Sequence, residues 1–149
     1  MDKRQRTKDE EKMKNVITLS TEVRGSIKSV WELWTSPEHI VHWNFAADSW
    51  HAPAAVNDLQ VGGKFSYRME AKDGSEGFDF SGVYTEIIEP EVIAYTMDDG
   101  RIARVTFEAL GESTVVTEVF EPEIMNAHEL QQAGWQMILD NFKRHAESI

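Results

Sequence analysis

Residues 30–43 read Val-Trp-Glu-Leu-Trp-Thr-Ser-Pro-Glu-His-Ile-Val-His-Trp, three tryptophans and one proline in a single short run. Val30, Trp31, Leu33 and Trp34 recur at helical spacing, and Ser26 or Ser29 just upstream is a residue type that caps helix N-termini. Pro37 lacks the N–H that a first helical turn leaves unused. Thr35-Ser36-Pro37 therefore ends one short helix and starts a second, with Ser36 as its cap and Ile40, Val41 and Trp43 as its buried part. Two short amphipathic helices need a surface to cover, and the flanking sequence supplies one.

Upstream, Val16 to Val23 alternates, with Ile17, Leu19, Thr21 and Val23 on one face of a strand. Downstream, residues 44–59 are irregular around Trp50-His51 and Pro53 and read as a loop over an open end. From Gly62-Gly63 the period becomes two, placing Phe65, Tyr67 and Met69 together. Asp73-Gly74 and Asp99-Gly100 are tight-turn signals. Between them Phe78, Phe80, Gly82 and Tyr84 share a face, as do Ile93, Tyr95 and Met97; Ala103, Val105 and Phe107 follow. Residues 114–120 are apolar at both parities, so their facing stays open. From Asn126 to Ser148 the period is helical, with a stripe of Leu130, Gly134, Met137, Ile138, Asn141, Phe142 and His145. This order predicts an α+β fold: a curved antiparallel sheet wrapped around a long C-terminal helix, with two short helices after the first strand and room for a cavity.

At 149 residues the chain is of single-domain size and able to bury an ordinary core. Residues 1–14 mix six basic with four acidic side chains and read as a solvated tail, leaving residues 15–149 as the domain. That domain carries nine basic and twenty-two acidic residues, a net charge of −13. Such a surface repels phosphate backbones and anionic headgroups, so neither nucleic acid nor membrane is an expected partner. The absence of cysteine excludes thiolate chemistry and fits a reducing compartment. With neither a secretory signal nor an apolar run of spanning length, the expected location is cytoplasmic.

Four stretches in this order, VWELWTSPEHIVHW, DLQVGGKFSYRM, FSGVYTEIIEPEVIAYT and GWQMILDNFKRHAE, resemble the activator-of-Hsp90-ATPase-like family, within the START-like or Bet v 1-like superfamily. The resemblance runs from about Val16 to the end of the chain. It implies the helix-grip fold, with a cavity between sheet, C-terminal helix and helix pair that the superfamily commonly uses for lipids, sterols, polyketides or other apolar molecules. Chains of this type are similar to the C-terminal part of the co-chaperone that names the family. The family name alone therefore implies no chaperone activity.

Alternation brings Phe65, Tyr67, Met69, Phe80, Tyr84, Tyr95 and Phe107 onto faces able to meet Gly134, Met137 and Ile138 of the terminal helix. Pockets for small molecules are mostly apolar with a few polar fixers, and the three tyrosine hydroxyls suit that role. The same rings also serve as plain core filling. Trp43, Trp50 and His51 complete the candidate set as residues of the mouth and lid. Gly82 and Gly134 carry a conformational cost, offset either by space for a ligand or by close packing against a large neighbour such as Trp135.

His39, His42 and His51 suggest a zinc site only weakly, because HxxH lacks a carboxylate placed to complete it. Solvent-facing or capping roles are the expectation, with His145 favoured near a helix C-terminus by the helix dipole. No GxSxG elbow, P-loop or GxGxxG is present, and Glu86, Glu118 and Glu121 are strand residues that alternation sends mainly outward, whereas one of them buried with a raised pKa could act as a general acid or base. Neither a catalytic residue, a metal nor a cofactor is assigned. The leading reading is a non-enzymatic binder of a small apolar or aromatic molecule, such as a lipid, flavonoid or polyketide, acting as a monomer or weak homodimer. A second is a protein-interaction module, a chaperone or stress-related accessory factor. A third is a cyclase or hydrolase, which requires a titratable group such as His51 inside the cavity.

Overall fold

The computed structural model describes residues 15–149, so the charged tail expected over residues 1–14 lies outside the described residues. The chain runs β1 (Ile17–Arg24), α1 (Ile27–Thr35), α2 (Pro37–Ile40), β2 (Trp50–Asn57), β3 (Lys64–Ala71), β4 (Gly77–Ile88), β5 (Val92–Met97), β6 (Ile102–Leu110), β7 (Ser113–Phe120) and α3 (His128–Glu147). Among the described residues the strands form one seven-stranded sheet in the order β1-β7-β6-β5-β4-β3-β2, with every neighbouring pair antiparallel. The sheet curls into a half-barrel around α3, the α+β helix-grip architecture that the sequence predicts. Among the described residues no helix is long and apolar enough to cross a membrane.

Local chemistry explains the helix pair. Ser26 caps α1, its hydroxyl accepting from the Ser29 amide at 3.2 Å, and Pro37 opens α2 as its first helical residue. Val30, Trp31 and Leu33 are buried, as are Ile40 and Trp43. Trp34 ties the pair to the domain: its ring lies 4.8 Å from Trp43, 4.8 Å from Phe142 and 5.8 Å from Phe107. Edge-on and tilted aromatic contacts of this kind add about 0.5–1.5 kcal/mol per pair beyond area burial. Phe107 is absorbed in this cluster, packed edge-on against Trp31 at 5.2 Å, and is core rather than cavity wall.

The irregular segment corrects the sequence reading. Residues 50–57 are not a lid but the edge strand β2, paired with β3. Pro53 concealed it, because proline cannot donate to a ladder. Here it falls between His51 and Ala54, where the register shifts, on the outermost strand, and both are positions that tolerate proline.

The face of β7 is settled as well. Thr114, Val116, Glu118 and Phe120 point inward and are all buried, so the expectation that Glu118 faces outward is overturned. Leu19 of β1 and Val105 of β6 sit opposite Glu118 in register and hold it in the inner face. Glu86, by contrast, is half-buried and ion-pairs with Arg104, reaching past Ala94 of the strand between them.

Candidate functional site

A cavity of about 340 Å³ lies between the inner face of the sheet and α3, closed at one side by Trp34, Trp43 and Asn44. This is the low end of the range typical for small-molecule pockets. Its interior is set by strand register. Tyr67 of β3 stands opposite Phe80 of β4, Phe65 opposite Gly82, and Tyr84 opposite Tyr95 of β5. Gly82 leaves room for the Phe65 ring: a Cβ there would sit 2.8 Å from that ring and 2.6 Å from the Thr96 carbonyl oxygen. Phe65 then meets Tyr67, Tyr84 and Tyr95 at ring distances of 5.1, 5.3 and 4.9 Å. The close-packing explanation holds for Gly82, with Phe65 rather than Trp135 as the neighbour.

Gly134 is the opposite case. A Cβ there would meet nothing within 4 Å, and the residue borders the cavity. Trp135, beside it on α3, stacks on Phe120 with ring centroids 3.7 Å apart and planes 10° from parallel. This contact sets the rotation of α3, whose buried residues are Gln131, Leu139, Asn141, Phe142 and Ala146. The stripe read from the sequence is therefore displaced. Met137 is 43% exposed and does not line the cavity, while Leu130, 63% exposed, lies at its mouth with Phe78.

Of the residues singled out from sequence, the cavity brings together Trp43, Phe65, Tyr67, Met69, Phe80, Tyr84, Tyr95, Gly134 and Ile138. Trp50, His51, Phe107 and Met137 are outside it. Trp50 packs on Phe78 at 5.8 Å, and His51 lies on the edge strand with Nε2 3.8 Å from Glu70 Oε1. His39 and His42 gather around His145 rather than His51: His39 Nδ1 is 3.0 Å from His145 Nε2, and the His42 ring stacks on His145. Burial, then the neighbouring His39 and His42, hold the His145 pKa below its usual value, outweighing the helix-end effect expected from sequence. Among the described residues no group of three His, Asp or Glu side chains is placed to hold a metal ion.

Sequence reasoning named the three tyrosine hydroxyls of the cavity but did not place Glu118 and Asn44 there. Glu118 is buried in its wall, and desolvation raises its carboxyl pKa from 4.5 to about 8. Asn44 is also buried, and its side-chain Nδ2 has no hydrogen-bond partner among the described residues. Burial pushes the hydroxyls of Tyr67 and Tyr95 well above the ordinary phenol value and that of Tyr84 up to about 12. All three phenols stay protonated, and two of the protons are engaged: Tyr67 bonds to Tyr84. Tyr84 uses its proton on Asn57 Oδ1, and Asn57 Nδ2 donates to the Thr35 carbonyl at 2.7 Å, linking the sheet to the end of α1. Arg101 borders the cavity but is held by Asp99 Oδ2 at 2.8 Å and the Glu121 carbonyl at 3.2 Å. The one legible signal for Glu118 was its parity with Thr114, Val116 and Phe120, hidden by equally apolar neighbours on the other face.

Comparison with known proteins agrees with this architecture. The solution structure of an AHSA1-like protein from Aeromonas hydrophila superposes with a TM-score of 0.82 at 43% identity, over 89% of this chain and 93% of that one. A protein from Cytophaga hutchinsonii, Chr148, is 47% identical with a TM-score of 0.78, over 91% and 94% of the two chains. A Chromobacterium violaceum protein, 23% identical with a TM-score of 0.80 over 90% and 99%, shares the fold. No protein of curated function matches the sequence significantly. The profile of the family described as activator of Hsp90 ATPase homolog 1-like protein matches residues 24–147. On that match, and on the helix-grip sheet just described, the chain belongs to the activator of Hsp90 ATPase homolog 1-like family.

Proposed function

We propose that this protein binds a small, mainly aromatic or apolar molecule in the cavity between sheet and α3. The single observation that carries this reading is the aromatic-walled space beside Gly134, which an ordinary core would have filled. Proteins of this superfold commonly enclose hydrophobic ligands, and the lining here is aromatic with a few polar groups, the composition of a small-molecule pocket. Binding, carriage or sensing is favoured over catalysis because His51 lies outside the cavity and the titratable carboxyl inside it, Glu118, has no second acid or base beside it except phenols that stay protonated. The absence of cysteine accords with a cytoplasmic protein.

The test is a titration of 15N-labelled protein with naphthalene derivatives, following the indole signals of Trp34, Trp43 and Trp135. Saturable shifts at these three, with Trp31 as a silent control, support the reading. Shifts spread evenly over all tryptophans, or none, count against it.

A second reading, docking to a protein partner, draws on Ile124 and Met125, which are 97% and 84% exposed in the segment leading into α3. Apolar side chains this open suit contact with another apolar surface. Ile124→Ser with Met125→Ser leaves naphthalene binding intact while weakening partner capture if this reading holds.

A further inference from the structure

The cavity contains two polar side chains that its own structure leaves wanting. Asn44 Nδ2 is buried without an acceptor, and a buried amide N–H without a partner costs about 1–3 kcal/mol. Glu118 is buried in the same wall, and its carboxyl receives no hydrogen bond from the described residues. The two come from different elements, Asn44 from the turn after α2 and Glu118 from the middle of β7.

From these observations, and resting on the pocket reading above, we infer that the cavity selects a neutral aromatic molecule bearing a carbonyl or hydroxyl oxygen and rejects carboxylates. Asn44 lines the cavity and, with its amide turned toward it, supplies one N–H to such an oxygen. Glu118 supplies an O–H, because a carboxyl held neutral in an apolar wall is a donor as well as an acceptor. Its surroundings keep it neutral. Leu19 and Val105, its register neighbours on both sides, are apolar, and of the charged or titratable groups that share the lining Tyr95 retains its proton while Arg101 is engaged by Asp99 and the Glu121 carbonyl.

Three features act against an anion. A ligand carboxylate beside Glu118 repeats the like-charge arrangement that disfavours ionisation. Arg101, the basic residue of the lining, is already paired with Asp99 and the Glu121 carbonyl. The acidic balance of residues 15–149 repels anions before they reach the mouth. Fatty acids and aromatic acids are therefore poor ligands, while ketones, phenols and related neutral polycycles are good ones.

Matched probes test this by NMR titration at pH 6.5: 2-acetylnaphthalene, 2-naphthoate and 2-ethylnaphthalene, which share a ring system and differ in the oxygen function. The wild type is expected to bind the ketone at least tenfold more tightly than the carboxylate and severalfold more tightly than the hydrocarbon. Glu118→Gln keeps a donor and retains the preference for ketone over hydrocarbon. Glu118→Leu, similar in volume, loses it while still binding the hydrocarbon. Naphthoate binding as tightly as the ketone, or a ketone preference that survives Glu118→Leu, overturns the inference and leaves the pocket reading standing. Failure of all three probes to bind overturns the pocket reading, and this inference with it.

Discussion

Trp135 lies flat on Phe120, with centroids 3.7 Å apart, and that stack decides which residues of α3 look into the cavity. Phe120 is completely buried at the end of β7, so it is a fixed platform. With Trp135 seated there, Gly134 and Ile138 border the cavity and Met137 turns toward solvent. Trp135→Ala removes the stack and a half-buried indole. The expected loss is roughly 2–4 kcal/mol in urea unfolding, combining lost burial with the aromatic contact. Naphthalene binding weakens in the same variant, because the cavity loses a wall.

The two glycines respond in opposite directions. Gly134→Ala places a methyl in open space within a helix, where alanine is favoured by up to about 1 kcal/mol, so the midpoint of thermal unfolding rises. Gly134→Phe keeps the fold but fills the cavity, and affinity for 2-acetylnaphthalene drops at least tenfold. Gly82→Ala drives a methyl against the Thr96 carbonyl and the Phe65 ring, and costs about 1–3 kcal/mol.

Glu118 makes stability fall as pH rises. Its folded pKa, about 8, lies above the ordinary 4.5, so the folded protein holds the proton more tightly than the unfolded chain. The contribution is fully present below pH 4.5 and is lost progressively up to about pH 8. At pH 7 the loss amounts to roughly 3 kcal/mol at most. Glu118→Gln removes this slope: denaturant unfolding shows it more stable than wild type at pH 8 and not at pH 4.5. A wild-type slope retained by the variant would assign the dependence to other groups.

His145 acts at the acid end. With its folded pKa held below the usual 6.5, it favours the neutral ring, so its contribution is present above pH 6.5 and is lost as pH falls through the folded value. Burial first, then His39 with Nδ1 at 3.0 Å and the stacked His42, make charging this ring unfavourable, and the three residues clamp α2 against the last turns of α3. His145→Gln flattens the decline in unfolding midpoint between pH 7 and pH 5. An unchanged decline would show that the clamp does not titrate.

Much of the fold was legible because it rests on local rules. The Ser26 cap, the Pro37 start, the Asp73-Gly74 and Asp99-Gly100 turns and the alternation of β3 to β6 each depend on neighbours within a few residues. The aromatic wall of the cavity followed from the same alternation, which is why Phe65, Tyr67, Phe80, Tyr84 and Tyr95 meet as expected. Edge strand β2 was hidden by Pro53, since its acceptability depends on which strand lies outermost.

What the sequence by itself determined is the order of elements apart from β2, the aromatic inner face and the family. Tertiary structure alone decided the polar chemistry. Whether Glu118 faces outward or is buried in an apolar wall depends on Leu19 and Val105, residues 99 and 13 positions away in the chain. Burial and pKa are properties of everything around a group, and no local pattern of residues encodes them.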